Sequence, residues 1–254
     1  MRPAATTGLY VERRSPVHDL APHVKVVAAV GVVVAIVCTP RTAVWAFAAL
    51  AVLVATVAVA ARIPATLMAR RMVVELPFLV GALLLPFVAS GPHVDVAGVS
   101  LSRSGLWGAW NVVAKATLGS AVAVLLCSTT RVPDLLGALQ RLRVPRLVVS
   151  VAGFAVRYGD VLADDLRRAH VARLARGHDP RWLWQVRAVA AGAGTTFVRS
   201  FERGERVHLA MLARGYDPEV PMFATARAPR RDAVAALAVV IVAWAIALGA
   251  WAAS

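Results

Sequence analysis

The sequence predicts an all-α integral membrane protein with about five to six membrane helices and a basic cytoplasmic helical module. Three observations carry this. The chain of 254 residues is 59% hydrophobic, above the roughly half-apolar composition of soluble domains. The apolar residues gather in long uncharged runs, as membrane spans do. The formal charge of +14, from 28 basic and 14 acidic residues, alternates between loops as the positive-inside rule requires.

Residues 1–23 are polar and carry Pro3, Pro16 and Pro22, and read as an N-terminal cytoplasmic segment. They do not resemble a secretory signal, because no small-x-small cleavage site follows the first apolar run. Residues 24–163 hold the transmembrane helices and their loops. A first run, 24–38, is interrupted at Pro40-Arg41 and followed by a second, 42–61. One continuous helix over both would be roughly 55 Å long, against a hydrocarbon core of about 30 Å. Two short helices joined by a tight turn are therefore expected.

Arg62, Arg70 and Arg71 place the following loop inside. Residues 73–90 form the next span, with Glu75 in its first turn and Pro77 and Pro86 inside it. The loop 91–110 carries little positive charge and holds Trp107 and Trp110, so it reads as external. Residues 111–130 return inward to a loop with Arg131, Arg141, Arg143 and Arg146. The stretch 147–163 is apolar at first but is interrupted by Arg157, Tyr158 and Asp160. A charge at mid-span costs about 2.5–3.5 kcal/mol, so this segment is expected to be a helix buried against the others or a partial span.

Residues 164–231 hold 13 arginines against seven acidic residues, with no long apolar run, and read as cytoplasmic coupling helices. The acidic and basic residues at Asp164, Asp165, Arg167 and Arg168 read as a solvated helix start with i, i+3 pairing. Residues 232–254 contain an uncharged twenty-residue run, 233–252, ending near Trp251. This is the C-terminal transmembrane helix.

Most of the arginine excess is accounted for by topology. Two segments stand apart, Leu174-Ala175-Arg176-Gly177-His178-Asp179-Pro180 and Leu212-Ala213-Arg214-Gly215-Tyr216-Asp217-Pro218. Each reads as a helix stop, with Arg in the last turn, Gly as the left-handed cap and Pro soon after. An Arg at a capped helix end also presents a planar donor fork suited to carboxylates or carbonyls on another protein. The repeat of one pattern 38 residues apart favours two matching plugs for a two-fold partner. Between them, Ala188 to Thr196 is dominated by small residues that permit close helix crossing. Phe197 and Phe201 share one face, and Arg199, Arg203 and Arg206 another.

With these motifs the chain resembles the transmembrane T component of energy-coupling factor (ECF) ABC transporters, and most closely the cobalt-type CbiQ family. The segments Ser15-Pro16-Val17-His18-Asp19-Leu20 and Pro22-His23-Val24-Lys25 resemble the family's N-terminal entry, and Pro133-Asp134-Leu135-Leu136 its central loop. Arg157-Tyr158 and the acidic helix after it resemble its lead-in to the coupling region. The resemblance implies a non-catalytic subunit that docks two cytoplasmic ABC ATPase subunits and holds a CbiM-like substrate-binding membrane subunit. It implies ATPase coupling through Ala175, Arg176, Gly177, Ala213, Arg214 and Gly215, in a multi-pass protein of the bacterial inner membrane. The implied cargo is cobalt for cobalamin synthesis; nickel or a vitamin is the alternative.

Other chemistries find less support. The six histidines form no HxH or HExxH pattern and the two cysteines no CxxC, so no metal site or cofactor is expected in the chain. No Walker sequence is present. Gly159-Asp160 with Asp164 and Asp165 lacks the upstream Asp-Gly partner of lipid-head-group transferases. No Glu-Ala-Ala loop of a conventional importer permease is found, and no nucleic-acid partner is expected.

Overall fold

The computed structural model describes residues 10–89, 93–96, 99–177, 186–216 and 229–253. The chain divides into two compact units. One comprises Leu9–Ala138 and Thr225–Ser254, the other Leu139–Ala224 with Met1–Gly8.

The first unit opens with α1 (Pro16–Asp19), capped by the Ser15 side chain, and α2 (Pro22–Cys38). A turn leads into α3 (Val44–Ala60), so the two short helices expected around Pro40 are present. Each has 17 residues and rises roughly 25 Å. Next come α4 (Ala65–Arg71), a 3₁₀ turn at Met72–Glu75, and α5 (Leu76–Val88). The hairpin β1 (His93–Val96) and β2 (Val99–Ser102) precedes α6 (Arg103–Thr129), and α7 (Val132–Arg141) leads to the second unit. The last helix of the first unit is α10 (Arg230–Ala252).

Three stretches are long and apolar enough to cross a membrane: Ala65–Val88, Arg103–Thr129 and Arg230–Ala252. With α2 and α3 they make five apolar helices among the described residues, an all-α membrane architecture. Two boundaries differ from expectation. The loop expected over 91–110 is shorter, because Ser102 caps α6 through a hydrogen bond from the Gly105 N–H, and both tryptophans lie on the helix. The remainder holds an antiparallel hairpin pairing Val96 with Val99, which periodicity over so few residues did not signal.

The core is built largely from small and branched residues. Ala35, Ile36, Ala46, Leu50 and Ala243 are fully buried, which lets α2, α3, α6 and α10 approach closely. Gly105 lies against α5: a Cβ there would sit 2.6 Å from the Leu85 carbonyl and 2.7 Å from Pro86 Cα. Large apolar side chains point outward instead, as on Phe78, Leu83 and Phe87, the pattern expected where lipid is the solvent.

Several buried polar groups in this unit are paired. Glu75 is buried and accepts from Thr117 Oγ1 (2.7 Å) and Ser120 Oγ (3.0 Å). The last four carbonyls of α2 all find donors. Thr39 supplies its hydroxyl to Ala35 and its N–H to Ile36, Lys115 Nζ reaches Val37 at 2.7 Å, and Trp251 Nε1 reaches Cys38 at 2.8 Å. At the other end of α2, Lys25 Nζ donates to the carbonyls of His18 (2.8 Å) and Thr129 (2.9 Å).

The second unit contains two long helices, α8 (Arg146–Ala175) and α9 (Val186–Ala213). Residues 147–163 are helical, as expected, but apart from Val149 the described residues do not bury them. The segment is the first half of α8, and only Val149 is buried in that helix, while Leu147 is 76% exposed. The three interrupting polar residues divide the apolar stretch, so the helix shows no buried face over this length. Likewise Asp164 and Asp165 lie in mid-helix rather than at a helix start. The helix continues without a break through 163 and 164.

Candidate functional site

The two repeated motifs sit at the ends of the two longest helices. In α9 the Gly215 N–H bonds the Leu212 carbonyl at 3.0 Å, and the Tyr216 N–H reaches back to Met211 at 2.9 Å. These two bonds define a Schellman cap, with Gly215 in the left-handed region at φ +73°. In α8 the Gly177 N–H bonds Leu174 at 3.0 Å, with Gly177 at φ +76°. Both glycines therefore occupy the position where a side chain would strain the backbone. The arginine before each, Arg176 or Arg214, is the C-cap residue, where the negative end of the helix dipole favours a cation.

All six residues, Ala175, Arg176, Gly177, Ala213, Arg214 and Gly215, are exposed. His178, Asp179 and Pro180 of the first motif, and Asp217 and Pro218 of the second, lie outside the described residues. Each Arg thus stands at a terminated helix end and is exposed among the described residues.

The two helices are joined by specific contacts. Asp165 of α8 accepts from Arg203 Nη2 of α9 at 3.1 Å and from Arg168 on its own helix. The hydrogen bond from Arg168, and the charge of Arg203, hold the Asp165 carboxyl below its usual range. Further along, the Arg173 guanidinium lies over Gly192, where a Cβ would clash with it. As α8 advances from 165 to 173, its contacts on α9 retreat from 203 to 192, so the helices run antiparallel. Arg176 and Arg214 therefore fall toward opposite ends of the pair, separated by roughly 35 Å of helix.

Toward the α8 N-terminus a groove of about 910 Å³ is lined by residues of both helices, among them Leu147, Val151, Phe154, Leu162, Val207 and Met211. Phe197 and Phe201 are 71% and 61% exposed, so the aromatic face of α9 lacks cover among the described residues. Sequence reasoning placed Arg203 with Arg199 and Arg206 on one face. It did not find the Asp165–Arg203 link, whose signal was the adjacent acidic pair Asp164-Asp165 in α8. Nor did it anticipate that Arg173, rather than a helix backbone, would occupy the space above the small residues. Among the described residues no group of three or more His, Cys, Asp or Glu could hold a metal ion.

A family model described as "CbiQ: Cobalt transport protein" matches residues 13–223. The chain is 29% identical over 148 residues to the cobalt transport protein CbiQ of Rhodobacter capsulatus, covering 58% of this chain and 59% of that one. It is 25% identical over 128 residues to a fused cobalt transport protein CbiMQ of Methanocorpusculum labreanum, covering 50% of this chain and 20% of the fusion. The matched stretch thus spans under two thirds of either relative.

Proposed function

Because the chain belongs to the CbiQ family of cobalt transport proteins, we propose that it is the transmembrane energy-coupling subunit of an ECF-type ABC importer. Its cargo is cobalt destined for cobalamin synthesis, and the cargo is handled by another subunit. The chain itself catalyses nothing. It sits in the inner membrane with α8 and α9 on the cytoplasmic side.

The observation that carries this reading is the pair of exposed arginines at two capped helix ends. A homodimeric or pseudo-dimeric ATPase offers two equivalent surfaces, and one arginine docks at each. A guanidinium makes charge-assisted, forked hydrogen bonds to carboxylates or carbonyls. The glycine beside it lets the partner approach the backbone closely. Closure of the ATPase pair on ATP then moves the two helix ends relative to each other. The contacts of Asp165 with Arg203 and of Arg173 at Gly192 keep α8 and α9 moving as one lever. The uncovered apolar surface of these helices receives a CbiM-like membrane subunit, a reading supported by the CbiMQ fusion among the relatives.

The test is co-purification of native partners in mild detergent, with uptake of labelled cobalt in the same cells. The reading requires an ATPase pair and a small membrane subunit to co-purify with one copy of this chain. It also requires cobalt uptake to fall when the chain is deleted. Recovery of a self-associated chain without an ATPase contradicts it.

A further inference from the structure

Two cavities in the first unit share a wall. One, about 420 Å³, is apolar and lined by Val32, Leu53, Val57, Val122, Leu126 and Val239 among others. The other, about 360 Å³, is polar and lined by Asp19, Lys25, Thr130, Arg131, Asp134 and Asp232 among others. Leu20, Lys25 and Thr129 line both. Together they offer an apolar slot opening onto a polar vestibule, within the volume range of small-molecule sites, about 300–1,000 Å³.

The vestibule lies where the end of α6, the start of α10 and the start of α2 meet. Those are the ends of membrane helices, the depth at which lipid headgroups sit. The apolar slot extends from there along the helices, at acyl-chain depth.

Two features show that the vestibule suits a ligand. Thr130 is 6% exposed and its hydroxyl has no hydrogen-bond partner, an arrangement that proteins avoid. Lys25 is buried and spends two of its three N–H groups on the carbonyls of His18 and Thr129, leaving one for a ligand oxygen.

The charge balance selects the headgroup. Asp19, Asp134 and Asp232 line the vestibule with Lys25 and Arg131, and Glu12 pairs with Arg131 and Arg231 with Asp232, so four formal negative charges meet three positive. A purely anionic headgroup meets a site that is already net negative. A zwitterion with a phosphate for Lys25, Arg131 and the Thr130 hydroxyl, and an ammonium for the carboxylates, is complementary to both sets. A primary ammonium can donate hydrogen bonds to Asp19 and Asp134, which a quaternary one cannot.

We infer that this double cavity is a binding site for one amine-bearing zwitterionic phospholipid, with its headgroup in the vestibule and one acyl chain in the slot. The lipid fastens the N-terminal segment, α6 and α10 together at one membrane surface.

The test uses the full chain reconstituted in nanodiscs of equal phosphatidylethanolamine and phosphatidylglycerol, then extracted into mild detergent, with retained lipid counted by mass spectrometry. The wild type is expected to retain a single phosphatidylethanolamine in preference to phosphatidylglycerol. Ala235→Phe, at an exposed wall of the slot, is expected to remove it. Thr130→Val should lower retention about tenfold, the effect of one hydrogen bond to a charged group. Asp134→Asn should shift the preference toward phosphatidylglycerol. Thr130→Val and Asp134→Asn preserve shape, so they carry the test if the larger side chain prevents folding. Preferential retention of phosphatidylglycerol by the wild type overturns the inference. So does phosphatidylethanolamine retention that none of these substitutions alters.

Discussion

Asp165 on α8 accepts a hydrogen bond from Arg203 on α9 at 3.1 Å, linking residues 38 positions apart on two antiparallel helices. It is a polar latch on a pair whose apolar surfaces are largely exposed. Asp165→Asn is expected to increase amide exchange around 160–170 and 196–206, and to reduce cobalt uptake more than ATPase recruitment. Because the pair is partly solvent-exposed, about 0.5 M salt should reproduce part of that exchange in the wild type. The carboxyl is held below its usual range, so its contribution is complete above the ordinary carboxylate value and is lost only as pH falls below it. Exchange corrected for intrinsic rates should therefore be flat from pH 5 to 8. Loss of protection within that window would remove Asp165 from this role.

The caps make a second prediction, with opposite signs at different positions. Gly177 and Gly215 have φ of +76° and +73°, so alanine at either costs about 1 kcal/mol of helix-end stability. Arg143 ends α7 at φ +60°, with the Val144 N–H returning to Leu139, the same cap built on an unsuitable residue. Arg143→Gly should stabilise by about 1 kcal/mol. Thermal unfolding in detergent resolves both. Equal effects of the three substitutions would contradict the cap assignment.

Glu75 tests the interior of the membrane unit. Its carboxylate, on the last residue of the 3₁₀ turn that joins α4 to α5, holds Thr117 and Ser120 of α6. Glu75→Leu removes both acceptors from buried surroundings and should cost about 2–3 kcal/mol. Glu75→Gln, which keeps an acceptor oxygen, should cost less. A leucine variant as stable as the wild type would show the cluster to be dispensable.

His18 gives a pH dependence. Its ring contacts the Ser15 hydroxyl at 2.7 Å and the Val11 carbonyl at 3.1 Å. Burial, and then the charge of Lys25, lowers its pKa below the ordinary 6.5. The unfolded chain therefore binds a proton at a higher pH than the folded one. The contribution of His18 is present above about pH 6.5 and declines as pH falls below it. The thermal midpoint should drop on acidification through this range, and His18→Gln should blunt the drop. An unchanged slope in that variant would assign the effect elsewhere.

Much of this architecture was legible from residue order. The break at Pro40 was read correctly because a helix through it would be too long for a bilayer. Gly177 and Gly215 were recognised as left-handed caps because few residues other than glycine tolerate that conformation. The extent of α6 was not legible, because Trp107 and Trp110 suit an interface equally as loop or as helix. The contacts of Arg203 and Arg173 were hidden too, since helix periodicity gives a face but not its partner. The pairing of Glu75 with Thr117 spans 42 positions, and neither hydroxyl residue carries a local pattern. Lys115 was placed near one end of a span, but its role in capping α2 depends on packing that the sequence does not spell out.

The central claim is that Arg176 and Arg214 recruit the ATPase pair. The most direct measurement is a detergent pull-down of the partner ATPases with Arg176→Glu, Arg214→Glu and the double variant, at matched membrane levels of the chain. Each single reversal should weaken recruitment by at least about tenfold, as for a buried interfacial arginine, and the double should abolish it. Recruitment of the ATPases by the double variant at wild-type level would contradict the account.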